Sequence, residues 1–432
     1  MAQTLKFGSG TWATKKGSIL AHNDEGGNFK PLPFTYTGAG KGTRVNKEGL
    51  IEVVENDRPR IDYTDTSDGV LLLEKAATNL ITYSQDFSNS YWTKSAASVT
   101  SGFVSPDGTN NAFKLVEDTS TGEHIIYKVS IGYTSGATLS YSFFAKKGER
   151  NVIQTYNYIG GGYANGANFD LSTGIVSNEV SGSGTMLELD NGWYRCEFTS
   201  LATVGQSATN VAFRILNSAD ENNYTGDGTS GVYIWGSMLE QNSVASSYIP
   251  TQGTIQTRVQ ETASGSGNSE VFNSEQGILY FEGSGENDNT FNYISLSDGG
   301  TTNYAAILYT DTDNQIIYRY YVGGSGVQIV VNSINVTNFN KFIIKYKEND
   351  FAIWINGFEV GTASSGSLNP SGTFTELAFA RGGSNNTPFY GKTKEIAYYD
   401  EVLTDLELET LTSYRTWESM VKELNLNVIY NG

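Results

Sequence analysis

The chain has 432 residues, with 28 lysines and arginines against 46 aspartates and glutamates, a formal net charge of −18. That charge repels phosphate backbones and anionic lipids, and no apolar run approaches the roughly 20 residues of a membrane helix, so nucleic-acid binding and membrane insertion are not expected. The 48 glycines, 27 tyrosines and only 7 prolines indicate short strands joined by glycine-rich turns, as in β-sandwiches and barrels.

The first 75 residues contain only short apolar pieces. Residues 1–6 lack the charged segment and long apolar core of a signal peptide, which predicts folding in the cytoplasm. Few of the pieces are long enough to fold alone, so residues 1–75 are predicted to be an irregular region that packs on a partner or a neighbouring copy. The pieces occupy residues 4–7, 11–14, 43–52, 59–63 and 71–74, with a turn-rich break at 23–27.

Residues 78–250 are predicted to form one antiparallel sandwich of the jelly-roll type. The last strand alternates Tyr233 and Trp235 with Ile234 and Gly236, which is typical of a closing strand. The strand candidates, separated by Gly, Asn, Asp and Ser turns, cover residues 112–115, 125–129, 137–145, 152–158, 192–199, 211–215 and 231–241.

The cysteine content gives no sign of stabilisation by disulfide bonds. The single cysteine, Cys196, excludes a disulfide within the chain, which agrees with a reducing compartment. It lies between Trp193 and Phe198 in an alternating stretch, so we expect a small buried core residue and not a nucleophile.

A second antiparallel sandwich is predicted over residues 270–412, after a linker at 251–269 whose glycine- and serine-rich run lacks periodicity. Its sharpest local signal is Asn356 followed by Gly357 between alternating strands, which predicts a type I′ hairpin. Its strand candidates cover residues 277–282, 293–296, 304–309, 315–322, 327–331, 341–347, 351–355, 359–363, 376–380 and 391–399.

A capping box marks the start of a C-terminal helix. Thr404 and Glu407 have the required spacing, and the predicted helix runs from Asp405 to about residue 423. Leu406 and the leucines that follow it are able to dock on the sandwich. Residues 413–432, which hold the rest of the helix and a tail, are available for contact with another subunit.

Several of these stretches resemble modules of bacteriophage virion proteins. Residues 78–87 with 91–94, and the strand at 233–240, resemble a carbohydrate-binding-module-like jelly roll, with similarity over about residues 40–110 and 190–250. The hairpin at 351–360 and the strand at 394–400 resemble a concanavalin A-like or laminin-G-like sandwich.

The resemblance implies a tail- or head-fibre subunit, located in the virion after folding in the host cytoplasm. Residues 1–75 would then attach the subunit to other virion proteins, and the subunits would form a homo-oligomer, typically a trimer. Host or mucosal glycans would be bound weakly at each site, with avidity from many copies.

Sugar binding needs flat aromatic faces flanked by amides and carboxylates. Tyr156 and Tyr158 lie two residues apart on one strand face, and the glycine-rich loop that follows carries Tyr163 and Asn165. These four residues are the preferred glycan-binding platform.

A second platform candidate is Tyr318 with Tyr320, again two residues apart, with Arg319 on the opposite face. Tyrosine pairs at strand spacing are also typical of half-buried packing between strands, so packing is the alternative interpretation for both platforms.

Catalytic patterns are incomplete. The two histidines, His22 and His124, are not near a serine or cysteine elbow and have no zinc-ligand spacing. Carboxylate patterns of concanavalin-like glycanases begin at Glu55, Glu188 and Glu286 but lack their last glutamate. The sequence therefore predicts a protein that is not an enzyme, with no catalytic residues and no cofactor.

Three alternatives stay open. Residues 310–314 begin like a calcium loop but lack its glycine and bidentate glutamate, so no metal ligands are assigned, and a structural calcium ion remains an option because both resembled modules sometimes hold one. The chain could instead be a capsid or tail decoration protein without a ligand, or a polysaccharide depolymerase.

Overall fold

The structure is a computed structural model that describes residues 5–21, 30–159, 164–202, 205, 207–286, 290–383 and 387–424, with the backbone alone for 157–159 and 164. Antiparallel strands dominate these residues, and two short helices lie near the C-terminal end of the described part. The predicted all-β fold class is confirmed. Neither of these two helices is long and apolar enough to cross a membrane, within the described part of the chain.

The strands are two to ten residues long. Before residue 80 they are β1 (Leu5–Gly8), β2 (Ala13–Lys15), β3 (Ser18–Leu20), β4 (Phe34–Thr37), β5 (Thr43–Val45), β6 (Ile51–Val53), β7 (Arg60–Asp62), β8 (Val70–Leu73) and β9 (Ala77–Asn79). Between residues 93 and 264 they are β10 (Thr93–Ser95), β11 (Ala97–Phe103), β12 (Ala112–Glu117), β13 (Thr121–Gly122), β14 (Ile125–Gly132), β15 (Thr138–Lys146), β16 (Val152–Ile159), β17 (Ala164–Asp170), β18 (Ile175–Val180), β19 (Ser183–Glu188), β20 (Trp193–Leu201), β21 (Ala208–Ile215), β22 (Tyr224–Thr225), β23 (Gly231–Glu240), β24 (Gln256–Arg258) and β25 (Thr262–Ser264).

The remaining strands and the helices follow residue 275. They are β26 (Gln276–Gly285), β27 (Asn292–Ser297), β28 (Tyr304–Tyr309), β29 (Gln315–Val322), β30 (Ser325–Asn332), β31 (Asn340–Lys347), β32 (Asp350–Ile355), β33 (Phe358–Ala363), β34 (Glu376–Ala378), β35 (Gly391–Tyr399), α1 (Asp405–Thr412) and α2 (Trp417–Glu423).

The chain forms two compact units, each discontinuous in sequence. Unit 1 comprises Met1–Ala39, Asn56–Lys75 and Gln260–Gly432, and unit 2 comprises Gly40–Glu55 and Ala76–Val259. The segment 1–75, predicted as one region, is therefore divided between the units. The physical reason is strand pairing: β1 and β8 both pair with β35 of unit 1, whereas β5 and β6 pair with each other in unit 2.

The predicted linker also differs from a free hinge. Strand β24 pairs with β9 inside unit 2, and β25 pairs with β4 inside unit 1. Ala263 is buried in the unit 1 core. Two three-residue strands are too short to show periodicity in the sequence, so the paired segments within 251–269 were not predicted.

Unit 2 contains, among its described residues, two six-stranded antiparallel sheets that share one core. The first, which we call the platform sheet, has the order β10-β14-β21-β16-β17-β18, and the second has the order β11-β12-β23-β15-β20-β19. Ile126, Ile153 and Phe213 of the platform sheet meet Tyr141 and Phe143 of the second sheet in one apolar cluster. Alternation then directs the next side chains of the platform sheet away from that core.

Cys196 lies in the same core. Its side chain is fully buried, and burial raises the pKa of the thiol well above its ordinary value. The prediction that Cys196 is a small core residue is confirmed. A buried neutral thiol of this kind is also a poor nucleophile.

Unit 1 is built around two main sheets. The described residues form an eight-stranded sheet, β33-β32-β31-β26-β35-β8-β7 with β1 also on β35, and a five-stranded sheet, β30-β29-β28-β27-β34. A smaller sheet, β2-β3-β4-β25, completes the unit. Leu279, Phe281 and Ile344 of the eight-stranded sheet lie in the same core as Ile307 and Tyr318 of the five-stranded sheet.

A buried ion network joins the sequence segments of unit 1. Arg60 donates from Nε to Glu261 Oε1 at 2.7 Å, forms a second bond to the other oxygen of Glu261, and lies 2.6 Å from Glu74 Oε2. Tyr36 donates its hydroxyl to Glu261 Oε1 at 2.6 Å. Burial alone would lower the pKa of Arg60, but Glu261 and Glu74 outweigh it and raise that pKa.

The predicted hairpin is present. Ile355 pairs with Phe358 across a two-residue loop in which Asn356 has φ 51° and Gly357 has φ 90°. Positive φ at both loop positions is the requirement of a type I′ turn, which asparagine and glycine meet with little strain.

The C-terminal helical region is two helices in place of the one predicted. The capping box of Thr404 and Glu407 opens α1, but Ser413 is extended and α2 begins after a new cap at Thr416. Leu408 packs on the outer face of the eight-stranded sheet, whereas Leu406 is 73% exposed. Helix α1 is therefore a packing helix docked through one leucine face.

Unit 2 is expected to lose stability in acid through Glu117. This buried carboxylate accepts 2.9 and 2.6 Å bonds from Arg150 and a 2.7 Å bond from Tyr224. Burial alone would raise the pKa of Glu117, but these bonds lower it below 4.5. Because its folded pKa lies below its unfolded pKa, its stabilising effect is complete above the unfolded value and is lost as the pH falls through the folded value.

The Glu117→Gln variant should therefore lower the free energy of unfolding of unit 2 by about 1 to 3 kcal/mol at neutral pH. It should also weaken the pH dependence of hydrogen-exchange protection in β12 and β23. The control is Glu52→Gln, which alters an exposed pair with Arg44 (3.1 Å) and should leave both unchanged. An acid response identical in Glu117→Gln and the parent protein would contradict this account.

Candidate functional site

Two adjacent rows of side chains lie on the outer face of the platform sheet, the face opposite the unit 2 core. The pairing registers place Tyr127 opposite Ala212, Ala212 opposite Tyr156, and Tyr156 opposite Gly166. We call these four residues the tyrosine row. Tyr127 and Tyr156 are half-buried, and they are two strands apart, about 10 Å. Tyr156 has small neighbours in this row, but Ala212 is buried and Gly166 lies tightly against the backbone of Tyr156.

The neighbouring row is polar and hydrogen-bonded from strand to strand. Arg214 lies opposite Gln154, which lies opposite Asn168. Arg214 donates from Nε to Gln154 Oε1 at 2.9 Å, and Gln154 donates from Nε2 to Asn168 Oδ1 at 2.6 Å. Arg214 also donates to Glu123. We call Glu123, Arg214, Gln154 and Asn168 the polar row.

The polar row is coupled to the tyrosine row through a cation–π contact. The guanidinium carbon of Arg214 lies 4.8 Å from the centre of the Tyr156 ring. Its positive charge is balanced by Glu123, which lies at the exposed end of the row. The two rows together are therefore close to neutral and offer amide, guanidinium and carboxylate groups beside an aromatic ring. Such a set suits a neutral ligand with many hydroxyl groups.

Of the four residues of the preferred platform, the structure describes the side chains of two, Tyr156 and Asn165, and places them on opposite faces of the sheet. Tyr156 lies on the outer face, and the backbone of Tyr158 pairs with Ala164, although the Tyr158 side chain lies outside the described part. Tyr163 lies outside the described residues. Asn165 alternates with Gly166 and shares the inner face with Ala167, and it is 9% exposed. Its placement on the platform is corrected to the core-facing side, because one residue of shift reverses the face of a strand.

The second predicted platform, Tyr318 with Tyr320, is wrong. Both side chains are fully buried, with the Tyr318 hydroxyl 2.9 Å from Lys345 O and the Tyr320 hydroxyl 2.9 Å from Ser274 O. The Tyr320 ring packs 5.4 Å from that of Phe351. Neither ring presents a face to solvent, and the pair is core packing.

Sequence reasoning missed most of the polar row. Gln154 shares a strand with Tyr156 at a spacing of two, a signal that was available from alternation. Arg214 and Asn168 come from other strands, 60 and 14 residues away from Gln154. Only the pairing register brings them together, and one sequence does not reveal it.

Glu240 is a buried carboxyl elsewhere in unit 2. Burial raises the pKa of Glu240, but its oxygens accept bonds of 2.8 Å from Ser246 N, 2.8 Å from Ser246 Oγ and 2.6 Å from Asn242 Nδ2. Both oxygens are occupied by structural partners. No group of three or more His, Cys, Asp or Glu side chains suited to a metal occurs among the described residues. A structural calcium ion stays a prediction.

No protein-family model matches the chain, and no curated protein matches it. Solved structures to which it is similar include a CBM40 domain of Ruminococcus gnavus IT-sialidase bound to α2,3 sialyllactose, with 17% identity and a TM-score of 0.30 over 35% of this chain and 94% of that one. Domain 4 of an extracellular arabinanase from Geobacillus stearothermophilus, in complex with arabinotriose, is 13% identical with a TM-score of 0.29 over 36% of this chain and 73% of that one. A leech intramolecular trans-sialidase is 16% identical, with a TM-score of 0.28, over 33% of this chain and 24% of that one.

Proposed function

We propose that the protein is a glycan-binding subunit of a bacteriophage virion appendage, a tail or head fibre. The observation that carries the glycan-binding part is the tyrosine row beside the polar row on the outer face of the platform sheet. The virion part is supported by the sequence resemblance of residues 40–110 and 190–250 to fibre modules.

The two rows supply the two kinds of contact that a sugar needs. The half-buried Tyr156 ring offers apolar surface to the C–H face of a pyranose. Gln154 and Arg214 offer donors and acceptors to the hydroxyl groups. Tyr127, about 10 Å away, is placed to contact a different sugar residue of the same glycan.

A face of this kind binds one glycan weakly. In a fibre, several copies of the site would act together and supply avidity. Several copies held on one particle convert weak single-site binding into adhesion to host or mucosal glycans. We therefore propose a homo-oligomer, a trimer in the simplest case, held by other virion proteins. The proposed role is adhesion without catalysis, so incubation with host polysaccharide should release no new reducing ends.

Replacing Tyr156 with alanine should weaken glycan binding by about 5- to 30-fold, since stacking on one aromatic ring contributes roughly 1 to 2 kcal/mol. The Tyr156→Phe variant keeps the ring and should retain most of the affinity. Binding is measured by affinity electrophoresis of the full chain in gels that contain host-surface polysaccharide. Equal retardation of Tyr156→Ala and the parent protein would show that this face does not bind the polysaccharide.

A structural decoration protein is the second candidate, and one observation favours it. The members of the polar row satisfy one another, with Gln154 bonded to both Arg214 and Asn168, as a purely structural ladder would be. A decoration protein would show no retardation by any polysaccharide, yet it would still bind the particle. The same electrophoresis therefore separates the two functions.

A further inference from the structure

Unit 1 has a second aromatic face, on the side of its five-stranded sheet opposite the core. Because Tyr318 and Tyr320 face inward, Arg319 and Tyr321 between and after them face outward. The registers place Tyr304 opposite Tyr321 and Ala306 opposite Arg319, and Tyr293 lies on the same face of β27. Arg381 lies over the rings of Tyr293 and Tyr304, which are buried, whereas Arg319 and Tyr321 are half-buried. We call these five residues the arginine face.

The partners of Arg319 among the described residues of this face are neutral. It donates from Nε to Gln328 Oε1 at 3.0 Å and from Nη1 to the Tyr293 hydroxyl at 2.8 Å. Its guanidinium carbon lies 5.7 Å from the centre of the Tyr321 ring. No carboxylate of the described residues lies within 4.0 Å of it.

Among the described residues, the neutral partners of Arg319 distinguish it from five other arginines of this acidic chain. With 46 acidic residues against 28 basic ones, carboxylates are plentiful. Other arginines lie within 4.0 Å of one, namely Arg44, Arg60, Arg150, Arg195 and Arg214. The half-buried Arg319 therefore keeps donors and a full positive charge for an external anion.

Arg381 brings a second positive charge to the same tyrosines. Its guanidinium carbon lies 5.7 Å from the Tyr293 ring centre and 5.4 Å from that of Tyr304, and Nη2 donates to Thr301 O at 3.0 Å. Tyr293 thus contacts Arg319 through its hydroxyl and Arg381 through its ring. The two guanidinium groups flank one tyrosine, an arrangement that suits a single anionic group held by both.

A hydrogen-bond acceptor lies on the same face, two strands from Tyr304. Ser297 is opposite both Tyr304 and Glu376, so Glu376 has the same orientation on β34. Burial raises the pKa of Glu376, although a hydrogen bond from the Ser297 side chain opposes that effect. Its Oε1 atom is buried and has no hydrogen-bond partner among the described residues. A ligand hydroxyl would satisfy that oxygen, because an unmatched buried acceptor is costly.

We propose that the arginine face binds an acidic sugar, with Arg319 and Arg381 holding its carboxylate or sulfate, the Tyr321 ring contacting the sugar, and Glu376 accepting from a hydroxyl group. This site lies in unit 1 and takes a charged ligand, whereas the platform of the proposed function lies in unit 2 and suits neutral sugars. A phosphate alone would use the arginines but not the aromatic ring or the acceptor. The combination therefore favours a sugar over a simple anion.

The test uses affinity electrophoresis of the full chain with four acidic glycans, namely oligogalacturonate, hyaluronan, polysialic acid and dextran sulfate, and with neutral dextran. We expect at least one acidic glycan to retard the chain more than dextran does. Arg319→Gln should weaken that interaction at least about tenfold, and Arg319→Lys should weaken it less, because lysine keeps the charge without the planar fork. Retardation by dextran sulfate alone would assign the site to sulfated sugars.

The matched control is Arg415→Gln, which removes one positive charge from an exposed position of unit 1 and should have no effect. Equal losses in Arg319→Gln and Arg415→Gln would show non-specific charge attraction and overturn the proposal, as would a panel in which no acidic glycan exceeds dextran. The Tyr156→Ala variant should keep its acidic-glycan binding. If one of the two faces binds no glycan, the measurement on the other face can therefore still be interpreted.

Discussion

Replacing Arg60 with methionine is expected to lower the free energy of unfolding of unit 1 by about 3 to 5 kcal/mol. Methionine fills much of the volume but removes the cation that contacts both Glu74 and Glu261, and these two buried carboxylates then repel each other. The Arg60 side chain is 1% exposed, so solvent cannot screen the two carboxylates. The Tyr36 hydroxyl and the Glu74 backbone N–H would still donate to Glu261, but two neutral donors do not replace a guanidinium.

Hydrogen-exchange protection in β7, β8 and β26 measures this loss within unit 1. Neutralising both acids in the same background, with Glu74→Gln and Glu261→Gln, should recover part of the stability. The control is Arg44→Met, which breaks an exposed pair whose side chains are 26% and 45% exposed and should cost less than about 1 kcal/mol in unit 2. A comparable, small cost in Arg60→Met would show that the network contributes little.

Replacing Phe213 with alanine is expected to lower the free energy of unfolding of unit 2 by about 3 to 5 kcal/mol, the usual cost of truncating a buried aromatic residue. Its ring packs 4.6 Å from Phe143, 5.6 Å from Tyr141 and 6.0 Å from Trp92. These contacts join both sheets of the unit, so the cavity would lie where they meet. The neighbouring Arg214 would lose its support, and glycan binding should fall with the fraction folded.

Exchange protection in β15, β16 and β21 reports this effect. Phe213→Leu leaves part of the volume filled and should cost clearly less than the alanine variant. Leu201→Ala removes an apolar side chain that is 67% exposed in the same unit, and it should change stability by about 0.5 kcal/mol at most. If Phe213→Ala were as mild as Leu201→Ala, the ring could not be the centre of the unit 2 core.

Local signals in the sequence predicted local structure well. The all-β class follows from glycine-rich turns and alternating strands, and both appear in the sheets. Asn356 and Gly357 predicted the hairpin because few residues tolerate positive φ at both positions. Thr404 and Glu407 predicted the start of α1 for a similarly local reason, since the capping box closes within one turn.

Contacts between residues that are far apart in the chain could not be predicted from a single sequence. Arg60 and Glu261 are 201 residues apart, and neither lies in a pattern that singles out its partner. The three-residue strands β7 and β24 are stable only through the sheets that they join, so the segments 1–75 and 251–269 carry no periodicity of their own. The division of the N-terminal residues between two units follows from these pairings.

The candidate sites show the same limit. Alternation indicates which residues of one strand share a face, but it gives no account of what covers each face. Tyr318 and Tyr320 have the spacing expected of a sugar-stacking pair. Their side chains face the core between the two sheets, where the eight-stranded sheet buries them. The outward residue between them, Arg319, carries the more informative chemistry.

The central claim is that the outer face of the platform sheet binds glycans. It is tested most directly by a glycan array probed with the full chain displayed in many copies on beads, alongside Tyr156→Ala and Tyr156→Phe. We expect one or more glycans to retain the parent protein and Tyr156→Phe, with much weaker retention of Tyr156→Ala. Retention of no glycan by a folded, highly multivalent protein, or full retention of Tyr156→Ala, would contradict the claim.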